Sequence, residues 1–174
     1  MIPTTRLILV PGTAEMARAE VADRAALGRL LGAAVPENWP PEILVDALPV
    51  FLSALEAAPE RAGWYGWYAL LREPGPPVLV ASGGFTGPPE AGTVETGYAV
   101  LPQFCGQGIA TEMVDALAHW ALSQAGVSRI LAETEWANPA SVRVLEKAGF
   151  AGVGPAGEAG ARRFELSRPE GSGR

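Results

Sequence analysis

Along this 174-residue chain the apolar positions repeat with two periods, and Gly or Pro marks most of the switches between them. A short apolar run at Thr5–Val10 predicts a first strand. From about Ala14 to Leu31 the spacing is helical, with Thr13 as a plausible N-cap. The breaker VPENWPP follows, then a second Ala/Leu-rich helix over Pro41–Ala57, where Pro49 predicts a kink or two shorter pieces. Trp64–Leu71 and Val78–Phe85 read as strands joined by the turn REPGPP, and Thr93–Val100 as a third strand after the loop TGPPEAG.

A longer helix is expected over Gln107–Gln124. Its Ile109, Ala110, Met113, Val114, Leu117, Trp120 and Ala121 fall within roughly 140° of one another on a wheel, with Glu112, Asp115, His119 and Ser123 on the solvent side. Ser128–Trp136 reads as a strand and Asn138–Ala148 as a short helix. Asn138 is its N-cap, Pro139 its first residue, Gly149 its left-handed C′ residue, and Phe150 packs back on Leu145. GFAGVGPAGEAGARRFEL reads as two strands around a Gly-rich turn. The order predicts an α/β fold of the α+β kind, one domain over 1–167 with helices covering a largely antiparallel sheet, and a flexible tail at 168–174.

Composition removes several function classes. At 48% hydrophobic and 18% charged the chain can bury a substantial core, and its net charge of −6 disfavours a nucleic-acid backbone as partner. Cys105 is the one cysteine, which rules out an intrachain disulfide framework and a thiolate-rich metal site. His119 is the one histidine, and its place beside Asp115 on the polar helix face leaves a Ser-His-Asp hydrolase without its base. No run approaches the ~20 apolar residues of a membrane span, and MIPTTRLILVPGT lacks the basic start and long apolar stretch of a signal peptide. A cytoplasmic protein that binds no metal is the expectation.

The stretch LPQFCGQGIATEM (101–113) holds the candidate chemistry. Gly106 and Gly108 stand between a strand and a helix, where free amide N–H groups and the helix dipole favour an anion. A dinucleotide-binding G-x-G-x-x-G fails because its third position is Thr111, and the G-x-x-x-x-G-K-[ST] loop is absent. A third pattern fits. V-x-P-x-x-x-G-x-G-I-A-T-E, followed by an amphipathic helix, a strand and N-x-x-S-x-x-x-L-E-K-x-G-F, resembles the GNAT superfamily of N-acetyltransferases. The E-x-G-Y at 95–98 and TRLILV at 5–10 are similar to its RimJ/RimL-like branch, which acetylates protein N-termini. The strong part of the resemblance spans about residues 93–150.

That resemblance implies a GNAT fold with two strands, Thr93–Val100 and Ile130–Trp136, splayed around acetyl-CoA. The diphosphate would rest on the segment Cys105, Gly106, Gln107, Gly108, Ile109, Ala110 and Thr111. A backbone N–H near Tyr98, Ala99 or Val100 would meet the thioester oxygen, and Asn138 and Ser141 would contact the cofactor. Ser141 matches the Ser that this branch places near the thioester sulfur, with local helix capping as its alternative role. Attack needs a neutral amine, so a carboxylate base is required; Glu95 is the first candidate and Glu133 the second. The family often carries Arg or Gln where Cys105 stands, and a Tyr general acid where Leu145 stands. The expected acceptor is an amine, on a peptide N-terminus or on a small molecule such as a resistance substrate, and a homodimer is left open. The acceptor pocket is expected near Trp39, Trp64 and Trp67, whose alternative role is core packing. A non-catalytic acyl-CoA sensor is the competing function.

Overall fold

The computed structural model describes residues 1–72, 74–157 and 160–168. The tail expected at 168–174 falls outside the described residues beyond Arg168. So do Glu73, in the expected REPGPP turn, and residues 158–159, in the Gly-rich turn. The elements are β1 (Ile2–Pro3), β2 (Leu7–Pro11), α1 (Ala14–Ala22), α2 (Arg24–Leu31), α3 (Leu48–Ala57), β3 (Gly66–Leu71), β4 (Val78–Phe85), β5 (Thr93–Val100), α4 (Ile109–Ser123), β6 (Arg129–Glu135), α5 (Pro139–Lys147), β7 (Ala151–Pro155) and β8 (Ala161–Ser167).

Two expected helices are broken. The one over 14–31 stops at Asp23, whose extended backbone cannot continue it. The Asp23 N–H closes α1 on the Ala19 carbonyl at 2.7 Å, and its carboxylate accepts from the Ala26 N–H at 3.1 Å to open α2. In the second, Pro49 falls in the first turn of α3, where its missing N–H costs nothing, and a short 3-10 turn at Glu42–Leu44 precedes it. The end of α5 follows its sequence signals: Gly149 has φ 87°, its N–H reaches the Glu146 carbonyl at 3.1 Å, and the Phe150 N–H reaches Leu145 at 3.0 Å.

Among the described residues eight strands form one sheet in the order β1-β2-β3-β4-β5-β6-β8-β7. Every neighbouring pair is antiparallel except β5 with β6. That parallel pair is joined through α4, the usual crossover for parallel strands. Helix α4 and α5 cover one face, where Trp67, Ala69, Val80, Val94, Ile130 and Phe164 meet Ile109, Met113 and Leu117. The other face of β3 and β4, Tyr68, Leu70 and Leu79, packs on Leu27 of α2 and on Trp39. Strand β3 is therefore buried on both sides, which explains its unbroken apolar sequence WYALL.

Within that second layer sits a carboxylate that forms no ion pair among the described residues. Glu20 of α1 accepts from the Trp39 indole N–H at 2.8 Å and from the Tyr68 hydroxyl at 2.6 Å, tying α1, the WPP segment and β3 together. Burial pushes its pKa above the ordinary carboxylate range, while the two donors pull it partly back. Glu20→Ala orphans both donors, and urea unfolding is expected to show a loss of about 2–4 kcal/mol. Since the folded pKa is raised, Glu20 favours folding most where it is protonated, and that contribution fades as pH climbs through the raised value. Glu20→Gln should flatten this part of the stability–pH curve; an unchanged curve would contradict the assignment.

Candidate functional site

Of the helices, α1, α2 and α5 are closed at their N-termini by the side chains of Thr13, Asp23 and Asn138. Helix α4, 15 residues long, follows Gly108 and, like α3, has no side-chain cap. Gly106 and Gly108 adopt φ of 75° and 79°, left-handed values that a side chain would strain. The first-turn amides of α4 thus keep their donors for a ligand, at the positive end of the helix dipole.

Cys105, expected at the head of this turn, is exposed, with its thiol 3.6 Å from the Leu101 carbonyl. Two residues that hold the turn escaped the sequence reading. The Arg6 guanidinium donates through Nη1 to the Gln107 carbonyl at 2.8 Å and through Nε to Glu112 at 2.7 Å. Glu112 also accepts from the Arg6 amide at 2.7 Å and the Thr4 hydroxyl at 2.6 Å. It is therefore no solvated residue of the polar helix face: its side chain is only 17% exposed. Burial alone would raise its pKa, but the Thr4 hydroxyl and the Arg6 amide and guanidinium hold it below the usual carboxylate range. A charge partner more than a hundred residues away leaves no local spacing signal.

Beyond the turn lies a cleft. Strands β5 and β6 pair from Thr93↔Arg129 to Thr96↔Ala132 and no further, after which β5 stays with β4 and β6 with β8. A cavity of about 520 Å³ opens at this parting, lined by Tyr98 of β5, Ala132–Glu135 of β6, Asn138 and Ser141 at the start of α5, Ser82–Phe85 of β4, Ile43, Leu44 and Ala47 ahead of α3, and Phe51 within α3.

The structure brings Tyr98, Glu133, Asn138 and Ser141 together here, while Ala99, Val100 and Cys105–Thr111 lie outside the cleft lining. The Tyr98 hydroxyl reaches Ser141 Oγ at 2.7 Å, a bond in which either atom can donate, and also donates to the Ser141 carbonyl at 3.2 Å. Burial pushes the Tyr98 phenol up, with the Ser141 bond acting against it, so Tyr98 is a neutral donor. The Asn138 side chain accepts from the Ser141 N–H at 3.0 Å and so caps α5, as the sequence suggested.

The two candidate bases are near one another but not equivalent. Glu133 faces the cleft and is paired with Arg163, whose Nη2 lies 2.7 Å away. Glu95 lines a neighbouring hollow of about 630 Å³ with Arg61, Tyr65 and Arg129. Burial raises the pKa of Glu95, and the Glu133 charge adds to the rise, with Arg163 opposing. Trp39, Trp64 and Trp67 do not line the cleft. Trp39 is held on Glu20, and Trp64 and Trp67 stack on Trp120 with ring centroids 4.8 and 5.1 Å apart. Their role is core packing, and Phe51 is an aromatic that the cleft does present. Leu145 is fully buried, so no phenol enters from that position.

Known proteins resemble this chain in sequence and in fold. The profile of the acetyltransferase (GNAT) domain matches residues 6–151. The uncharacterised N-acetyltransferase YjdG of Bacillus subtilis (strain 168) is 33% identical over 121 residues, covering 69% of this chain and 71% of that protein. Among solved structures, RimJ of Mycobacterium smegmatis, in complex with CoA-disulfide, superposes with a TM-score of 0.61 at 20% identity, over 96% of this chain and 84% of its own. AAC(6')-Ib, in complex with Parmomycin and acetyl-CoA, gives 0.59 at 18% identity, over 94% of each chain. Among the described residues no helix is long and apolar enough to cross a membrane.

Gly108→Ala forces an L side chain into the left-handed region, its Cβ 3.3 Å from Arg6. Urea denaturation should register a loss of about 1–2 kcal/mol. Gly87→Ala, at a position with open space and no left-handed backbone, is the control and should change stability little.

Proposed function

Because the chain belongs to the acetyltransferase (GNAT) family, we propose that this N-acetyltransferase moves the acetyl group of acetyl-CoA directly to a primary amine, with both substrates bound at once. The observation that carries this reading is the uncapped glycine turn at the end of β5, with the cleft opening where β5 leaves β6. The turn suits a diphosphate, and the parted strand edges offer amides to a pantetheine arm. Acetyl-CoA supplies the thioester.

Glu133, on the cleft wall, attracts the ammonium of the acceptor. Glu95, with its raised pKa, takes the proton, directly or through water. An α-amine, with a pKa of ~7.7–8.0, loses that proton more readily than a lysine amine at ~10.4. The amine nitrogen then bonds to the acetyl carbon, and a backbone N–H near Tyr98–Val100 receives the negative oxygen. As the C–S bond breaks, Ser141 donates a hydrogen bond to the departing sulfur, and the proton still on the nitrogen passes through water to the thiolate, leaving the amide and coenzyme A. A thiolate whose thiol has a pKa near ~8.5 needs no stronger acid, which accommodates Leu145. The acceptor is a peptide N-terminus or a small-molecule amine, in a cytoplasmic setting. The alternative, a non-catalytic acyl-CoA sensor, draws on the same turn and on the buried Leu145.

Incubation with acetyl-CoA and a panel of peptides, polyamines and aminoglycosides, read by mass spectrometry, should give an acceptor 42 Da heavier, the mass of about one acetyl group. Coenzyme binding without transfer to any amine would favour the sensor. Glu95→Gln is expected to lower kcat/KM about a hundredfold and to remove the lower limb of its pH profile, which rises through a pKa above the ordinary carboxylate range. Ser141→Ala should lower kcat about tenfold with little change in the acetyl-CoA KM. Glu133→Gln should act mainly on the acceptor KM.

A further inference from the structure

We infer that Arg6 is a positioning residue for the coenzyme-binding turn, acting from β2's approach through the Gln107 carbonyl while Glu112 holds its guanidinium in place. The inference rests on the proposed occupation of that turn by the coenzyme diphosphate. A peptide unit is planar and trans, so the Gln107 carbonyl and the Gly108 N–H point in opposite directions. With Nη1 of Arg6 gripping that carbonyl at 2.8 Å, the Gly108 N–H is turned to the other side of the loop. Glycine at 106 and 108 leaves this peptide free to rotate, and Arg6 removes the freedom before any ligand arrives.

Glu112 explains why the holder must be a cation. It stands in the first turn of α4, where its negative charge would repel a diphosphate on the same helix end. Arg6 cancels that charge with Nε at 2.7 Å, and the Thr4 hydroxyl and Arg6 amide occupy the carboxylate further. Nη2 has no acceptor among the described residues. It lies 3.3 Å from where a Cβ on Gly108 would be, beside the bend itself.

The test separates affinity from chemistry. Calorimetry with coenzyme A and steady-state kinetics should show that Arg6→Ala raises the coenzyme Kd and the acetyl-CoA KM about tenfold, leaving kcat and the acceptor KM within about twofold. Arg6→Lys should recover part of the loss, because one ammonium can pair with Glu112 without the fork that also reaches Gln107. Glu112→Gln, which keeps the Thr4 and backbone acceptor but frees the guanidinium, should weaken coenzyme binding less than Arg6→Ala. Arg18→Ala, which breaks the Arg18–Glu56 ion pair elsewhere, is the control and should leave Kd unchanged. An unchanged Kd in Arg6→Ala, or a fall in kcat and both affinities in step with Tm, would overturn the clamp. No saturable heat with the unaltered protein would instead overturn the reading of the turn on which the clamp depends.

Discussion

Strands β5 and β6 share hydrogen bonds only from Thr93↔Arg129 to Thr96↔Ala132, and each then follows its outer neighbour. An open seam inside a sheet carries backbone donors and acceptors that something must satisfy. It persists because β5 is held on β4 over Thr96–Val100, and β6 on β8 over Arg129–Glu135, so neither can swing back without breaking a ladder. The crossover through α4 sets the glycine turn at the end of β5, and the chain leaving β6 delivers Asn138 and Ser141 to the other side. Cleft, turn and hydroxyl pair are consequences of that one divergence.

The electrostatics of the two ends differ in a way that suits their proposed occupants. At the turn the uncapped helix start presents positive potential, and Arg6 offsets the charge of Glu112. In and beside the cleft, burial and then the nearby Glu133 charge disfavour the ionisation of Glu95, and Arg163 partly offsets this. Anion at one end and amine at the other is the polarity that acyl transfer from a phosphate-bearing donor requires.

Much of the fold was legible because local signals agreed with tertiary ones. Val78–Phe85 and Thr93–Val100 have the bounds their apolar runs predict, and the Asn138–Phe150 block announces both ends of α5. The helix expected at 14–31 failed because Asp23 is compatible with helical spacing yet serves as a cap for both neighbours. The two-residue β1 is too short for any periodicity to reveal. In the site, Gly106, Gly108, Tyr98 and Ser141 sit in local motifs and were readable. Arg6 with Glu112, and Glu20 with Trp39 and Tyr68, are partnerships between distant segments, decided by packing. For the same reason the tryptophans could not be told from an acceptor platform until Trp120 was seen between Trp64 and Trp67.

Backbone amides on two separate segments, the parted edge of β5 and the start of α4, form the proposed coenzyme site. Amide hydrogen exchange with and without saturating coenzyme A tests it most directly. The account predicts slowed exchange in both Gly97–Val100 and Gly106–Ala110, with the outer strands β1 and β7 unaffected. Protection confined to other segments, or absent from both of these while coenzyme is bound, would contradict it.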